Sequence, residues 1–62
     1  MNIMLRELSN DLSAIENKIK NLRVIINLPI VQNRDLSVSE KQKVKALIND
    51  IIVLLQKYNE ML

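Results

Sequence analysis

The run of five apolar residues at positions 51–55, IIVLL, constrains the fold of this chain more than any other feature. On a helix, five consecutive apolar residues point in every direction, whereas a helix with one packing neighbour needs only one apolar stripe. The surrounding segment, residues 44–55, therefore predicts a helix with two apolar stripes. Such a helix needs two neighbours, so the sequence indicates that the chain has a binding partner.

Composition limits how so short a chain can be stabilised. A domain of 62 residues is marginal without a disulfide, a metal ion or oligomerisation. The chain has no Cys and no His, which excludes a disulfide and removes the usual zinc ligands. It also has no Gly and a single Pro, which disfavours the tight turns of a β-rich fold. We therefore expect one all-α domain over residues 1–62 that gains stability by association.

The first half of the chain, from residue 2 to about residue 27, carries apolar residues in alternating steps of three and four. This is the spacing of a heptad seam on a helix. The seam consists of Leu5, Leu12, Ile19 and Ile26 at positions a and of Leu8, Ile15 and Leu22 at positions d. Pro29 is predicted to end the helix, because a residue before proline is disfavoured in α geometry. Residues 28–37 then form the connection, with Ile30 and Val31 folded back over the end of the hairpin. A short helical turn that starts at Pro29 is an alternative.

The second half of the chain begins with a helix-start signal. Ser37 and Glu40 fit a capping box, in which the serine hydroxyl accepts from the Glu40 amide and the glutamate accepts from the Ser37 amide. Ser39 with Gln42 gives a second reading of the same signal. Either one predicts a second helix over about residues 38–62. Its first seam is Val44, Leu47, Ile51, Leu54, Tyr58 and Met61, and its second stripe is Ile48, Ile52, Leu55 and Leu62.

Two helices of about 25 residues joined by a short connection favour an antiparallel hairpin. The seam of the first helix then faces the first seam of the second, and the second stripe stays exposed on a lone hairpin. Burying four Ile and Leu side chains stabilises by roughly 1.5–3 kcal/mol each, as an upper value. We therefore expect two hairpins to dimerise, second helix against second helix, into a four-helix bundle.

Residues suited to catalysis are scarce. Without His or Cys the chain lacks the usual general base and the thiol nucleophile. Glu7 and Asp11 stand four residues apart, which is typical of a solvated helix face. No Gly-rich loop is present to bind phosphate. We expect no enzymatic activity, no catalytic residues, no cofactor and no metal ion.

Basic residues concentrate at the loop end of the predicted hairpin, which holds seven of the nine in the chain. These residues are Lys18, Lys20, Arg23, Arg34, Lys41, Lys43 and Lys45. A surface of this kind can contact anions or nucleic acid, although no aromatic residue stands among the lysines for base stacking. In size and predicted topology the chain resembles the Rop family of plasmid RNA-binding helical hairpins. That resemblance implies a nucleic-acid-binding alternative.

A second resemblance is to the short aspartyl-phosphate phosphatases that regulate sporulation in bacilli. Those proteins are helical hairpins whose second helix carries a Ser-Gln-Glu-Leu-Asp motif. Aligned on the first seam, residues 48–52, INDII, fall at that motif, and Ile52 falls at its functional Asp. The resemblance therefore implies the hairpin and not the phosphatase activity.

Taken together, these features predict a small non-enzymatic protein-interaction module or regulator. It self-associates through the second stripe, whose spacing also suits helix-in-groove binding of another protein. A small structural assembly subunit is a further alternative. No long apolar segment resembles a signal peptide or a membrane span, so we expect a cytoplasmic protein with no membrane contact. The bias towards Asn, Ile and Lys is typical of an AT-rich bacterial or phage coding sequence.

Overall fold

A computed structural model of the chain describes residues 3–62 and contains two helices within that range. Helix α1 spans Ile3–Val31 and helix α2 spans Val38–Met61. The all-helical hairpin predicted from the sequence is confirmed at this level. The predicted first residue of the first helix, Asn2, lies outside the described residues.

The two helices run antiparallel, as the contacts between their side chains show. Tyr58 near the end of α2 donates a hydrogen bond from its hydroxyl to Asp11 near the start of α1. Two helical turns further along α1, the Lys18 ammonium lies 3.5 Å from the Asp50 carboxylate. The result is a rod of 49 × 16 × 14 Å.

Pro29 does not end the first helix, so that prediction is wrong. α1 continues through it to Val31, and the chain turns at Asn33, whose φ of 51° is left-handed. The Arg34 amide donates to the Pro29 carbonyl at 3.0 Å, and the Asn33 amide donates to the Ile30 carbonyl at 3.1 Å. This is the Schellman pattern, with Asn in the place that Gly usually takes. The connection therefore comprises residues 32–37 rather than 28–37.

The residues around Pro29 are placed accordingly. Leu28 keeps helical geometry, and Pro29 is buried because it lies seven residues after Leu22 on the face towards α2. Ile30 and Val31 were predicted to fold back over the hairpin end, and they do not. They are 68% and 73% exposed, because the continuing helix directs their side chains away from α2.

Helix α2 begins as predicted from the capping box. The Glu40 amide donates to the Ser37 hydroxyl at 3.2 Å, and the Ser37 amide donates to the Glu40 carboxylate at 2.8 Å. Ser37 is therefore the N-cap, and the alternative start at Ser39 is not used. At the other end Leu62 is the C-cap, with its amide bonded to the Tyr58 carbonyl at 3.1 Å.

The core between the helices is thin, since within residues 3–62 only Ile15 and Tyr58 among the large apolar side chains are buried, at 6% and 4% exposure. The first seam of α2 is confirmed apart from Met61, which is exposed. The residues of that seam that are buried or half-buried are Val44, Leu47, Ile51, Leu54 and Tyr58.

The seam of α1 differs from the predicted one. Positions d face α2 as expected, but positions g accompany them in place of most positions a. The half-buried g residues are Met4, Asp11, Lys18 and Ile25, whereas Leu5, Leu12 and Ile19 at positions a are exposed. α1 is thus rotated about its axis relative to the predicted seam, and this rotation accompanies the bonds of Asp11 and Lys18 to polar groups of α2.

Candidate protein-interaction surface

The second stripe of α2 is exposed in the hairpin, as its spacing predicted. Ile48, Ile52 and Leu55 are 44%, 45% and 48% exposed, and Leu62 at the end of the chain is more so. Each of the first three directly follows a residue of the α2 seam in the sequence. One residue turns a helix by about 100°, so the stripe lies to one side of the seam.

Helix α1 adds a matching stripe that sequence reasoning assigned to its seam. Leu12 and Ile19 are 43% and 41% exposed, and they directly follow the seam residues Asp11 and Lys18. Both stripes are therefore displaced from their seams in the same rotational sense. In antiparallel helices this places them on the same side of the hairpin.

The two stripes also match along the length of the rod. The pairings of Asp11 with Tyr58 and of Lys18 with Asp50 fix the register. By that register Leu12 lies within two residues of the level of Leu55, and Ile19 lies within one residue of the level of Ile48. The five residues Leu12, Ile19, Ile48, Ile52 and Leu55 thus form one surface, which is termed the apolar face below.

The opposite side of the hairpin is charged. Lys57 lies 3.8 Å from the Glu7 carboxylate and 3.5 Å from that of Asp11. Its ammonium also lies 5.0 Å from the centre of the Tyr58 ring. Glu7, Asp50 and Lys57 each directly precede a seam residue, whereas the residues of the apolar face follow one. These three charged residues therefore lie on the side of the seam opposite to the apolar face. This surface is termed the charged side.

Tyr58 connects the core with the charged side. Burial of the ring raises the pKa of its phenol, and the hydrogen bond to the Asp11 carboxylate raises it further. Lys57 acts in the opposite direction and lowers it. The Glu7 and Asp11 carboxylates therefore neutralise Lys57, and Asp11 also accepts a hydrogen bond from the Tyr58 hydroxyl.

The predicted basic cluster at the loop end is partly neutralised within the chain. Lys18 pairs with Asp50. Arg34 pairs with Glu40 at 2.8 Å, and this bond, with that from the Ser37 backbone, lowers the Glu40 pKa to about 2. Of the seven predicted residues, three are in ion pairs: Lys18, Arg34 and Lys41, the last 3.7 Å from Asp35.

The other four of these seven have no ion pair in the part of the chain that the structure describes: Lys20, Arg23, Lys43 and Lys45. All four lie in the loop half of the rod, but they do not form one surface. Lys43 precedes a seam residue and lies towards the charged side, whereas Arg23 and Lys45 follow seam residues and border the apolar face.

Two further classes of site bear on function across residues 3–62, namely metal centres and membrane-spanning segments. Within that range no group of three or more acidic, His or Cys side chains is arranged to hold a metal ion. Neither helix, over the same residues, has an apolar stretch of the length that crossing a bilayer requires. Comparison of the chain with protein-family models, with curated proteins and with solved structures finds no match.

Proposed function

We propose that this chain is a small non-enzymatic protein-interaction module that self-associates through Ile48, Ile52, Leu55 and Leu62 and regulates a protein partner. The supporting observation is the imbalance between covered and uncovered apolar side chains. Among the described residues, fifteen large apolar side chains are exposed and two are buried. Five of the exposed side chains lie together on the apolar face, and a contiguous apolar patch is typical of a protein-interaction site.

Self-association is the simplest way to cover the second stripe. Completing the burial of its half-exposed Ile and Leu side chains stabilises by about 1 kcal/mol each, half the value for full burial. In a symmetric dimer each side chain contributes twice, once from each hairpin. A four-helix bundle is the arrangement in which two such hairpins bury these stripes together.

Sedimentation equilibrium of the purified chain tests this proposal. We expect a dimer or a larger assembly for the parent, and a shift towards a less stable monomer for Ile52→Asp. Val53→Asp is the matched control, because Val53 is the adjacent exposed residue and lines a groove with Lys18 and Asp50 on the charged side. A parent that stays monomeric at high concentration, or equal effects of the two substitutions, would contradict the proposal.

Nucleic-acid binding is the second candidate, and the four unpaired basic residues of the loop half favour it. Its test is a titration of RNA and DNA at increasing salt, since contacts to phosphates weaken steeply as salt rises. Binding that persists in Ile52→Asp but is lost when Lys43 and Lys45 are changed to Gln would support this candidate over the first. A structural assembly subunit would instead be recognised by a native complex much larger than a dimer.

A further inference from the structure

We infer that a second copy of the chain covers the whole apolar face, with α1 contributing Leu12 and Ile19 to the interface beside α2. We further infer that the two hairpins lie with their loops at opposite ends. Both inferences rest on the proposed self-association and add which surface is used and in which orientation.

The hairpin has a large accessible surface for its mass. The chain exposes 5016 Å², whereas a folded monomer of 7.2 kDa is expected to expose about 4,100 Å². Part of the excess of about 900 Å² comes from the elongated shape of the rod, and the uncovered apolar side chains supply the rest. A standard interface takes ~800 Å² from each partner. A stripe on α2 alone covers one edge of the rod, so an interface of this size requires both helices.

The shape of the apolar face suits a second copy of itself. It is built from similar levels of two helices, Leu12 with Leu55 and Ile19 with Ile48, and Ile52 lies between the two levels. A twofold axis at the Ile52 level would place the Leu12 level of one hairpin against the Ile19 level of the other. The same axis would place Leu55 against Ile48, so apolar residues meet along the whole face.

Charge decides the orientation. At the loop end the apolar face is bordered by Arg23 and Lys45, which directly follow the seam residues Leu22 and Val44 and have no ion pair among the described residues. With both loops at the same end, the four cations of the two copies would border one half of the interface and repel each other. With the loops at opposite ends, each basic border lies beside the terminal half of the other hairpin, where the corresponding residues are the uncharged Ser9 and Asn59.

Substitutions on α1 test the shared surface. We expect Ile19→Asp to weaken self-association at least tenfold in sedimentation. Val24→Asp, on the same helix, should leave it within about twofold, because exposed Val24 lines a groove with Asn21 and Lys43 away from the apolar face. Equal dimerisation of both variants would overturn the role of α1 and leave the proposed self-association intact. A monomeric parent would overturn both.

A distance measurement on the folded parent tests the orientation independently of those variants. The chain has no Cys, so Val31→Cys, at an exposed position near the loop, allows one spin label per protomer. Val31 is fifteen residues from the Ile52 level of the axis, and 1.5 Å per residue predicts labels about 45 Å apart. Loops at the same end would bring the labels within about 20 Å, two helix diameters, and that result would overturn the orientation.

Discussion

The two long sides of the hairpin are stabilised in different ways. On the charged side three ion pairs connect α1 to α2, formed by Lys18 with Asp50 and by Lys57 with Glu7 and Asp11. On the apolar side the structure of residues 3–62 shows no such bridge, and the side chains there are only half covered. One side is therefore complete within the chain, and the other is not.

The charged residues and the apolar residues of the two helices have different roles. The charges set how the two helices pair, because Asp11 and Lys18 meet Lys57 and Asp50 only in the antiparallel register. Ion pairs at a surface contribute little free energy, so they specify the register more than they stabilise it. Further stabilisation of the hairpin is therefore expected from burial of the apolar face.

The largest effect is expected in the core that lies between the two sides. Ile15 is the most buried aliphatic residue, and Ile15→Ala should lower the free energy of unfolding by about 2–5 kcal/mol. Ile30→Ala is the matched control at an exposed position, with a change of at most about 0.5 kcal/mol. Urea unfolding at one protein concentration measures both.

Should Ile15→Ala fail to fold, Ile15→Val gives the same comparison at about 0.5–1.5 kcal/mol. Similar losses at Ile15 and Ile30 would mean that burial within one hairpin does not determine its stability. The division into a complete side and an incomplete side would then have no energetic basis.

Much of this architecture could be predicted from the sequence. The all-α hairpin, the cap at Ser37, most of the α2 seam and the exposure of Ile48, Ile52 and Leu55 all follow from spacing and were found. These features depend on local rules of helix geometry, which a single chain displays directly.

The rotation of α1 could not be predicted by counting apolar residues. Asp11 and Lys18 occupy places in its seam because their charges meet complementary groups on α2, and an apolar pattern does not record polar partners. A signal was present, however. Asp11 and Lys18 stand seven residues apart, as do Asp50 and Lys57, and the opposite order of their charges matches antiparallel pairing.

The same rotation explains why part of the candidate site was missed. Leu12 and Ile19 were assigned to the buried seam, so only the stripe of α2 was expected to be available to a partner.

The prediction that Pro29 ends α1 was wrong for a separate reason. Proline is disfavoured inside a helix, but α1 continues through Pro29 to Val31. The chain then turns at Asn33, whose φ is left-handed.

A smaller effect, in a pH titration, is expected where the core meets the charged side. Burial and the Asp11 carboxylate raise the Tyr58 pKa above its ordinary 10.0 in the folded state. The folded chain therefore holds this proton more tightly than the unfolded chain. Its contribution to stability is complete below pH 10 and is lost as the pH rises through the folded pKa.

Asp11→Asn should lower the Tyr58 pKa, because it removes the negative charge and keeps an oxygen that accepts the phenol hydrogen bond. Ultraviolet absorbance measures this directly, since the chain has one Tyr and no Trp. Asp50→Asn is the control and should leave the titration unchanged. An unaltered pKa in Asp11→Asn would show that the charged side does not reach into the core.

The smallest effect is expected for the ion pair of Lys18 with Asp50, whose side chains are 29% and 55% exposed. A double-mutant cycle with Lys18→Met and Asp50→Asn should give a coupling of about 0.2–1 kcal/mol, measured by urea unfolding. Because the pair is partly solvated, the coupling should shrink as salt is added. A coupling well above this range that resists salt would mean that charges, rather than apolar burial, hold the two helices together. The contrast between the two sides of the hairpin would then be reversed.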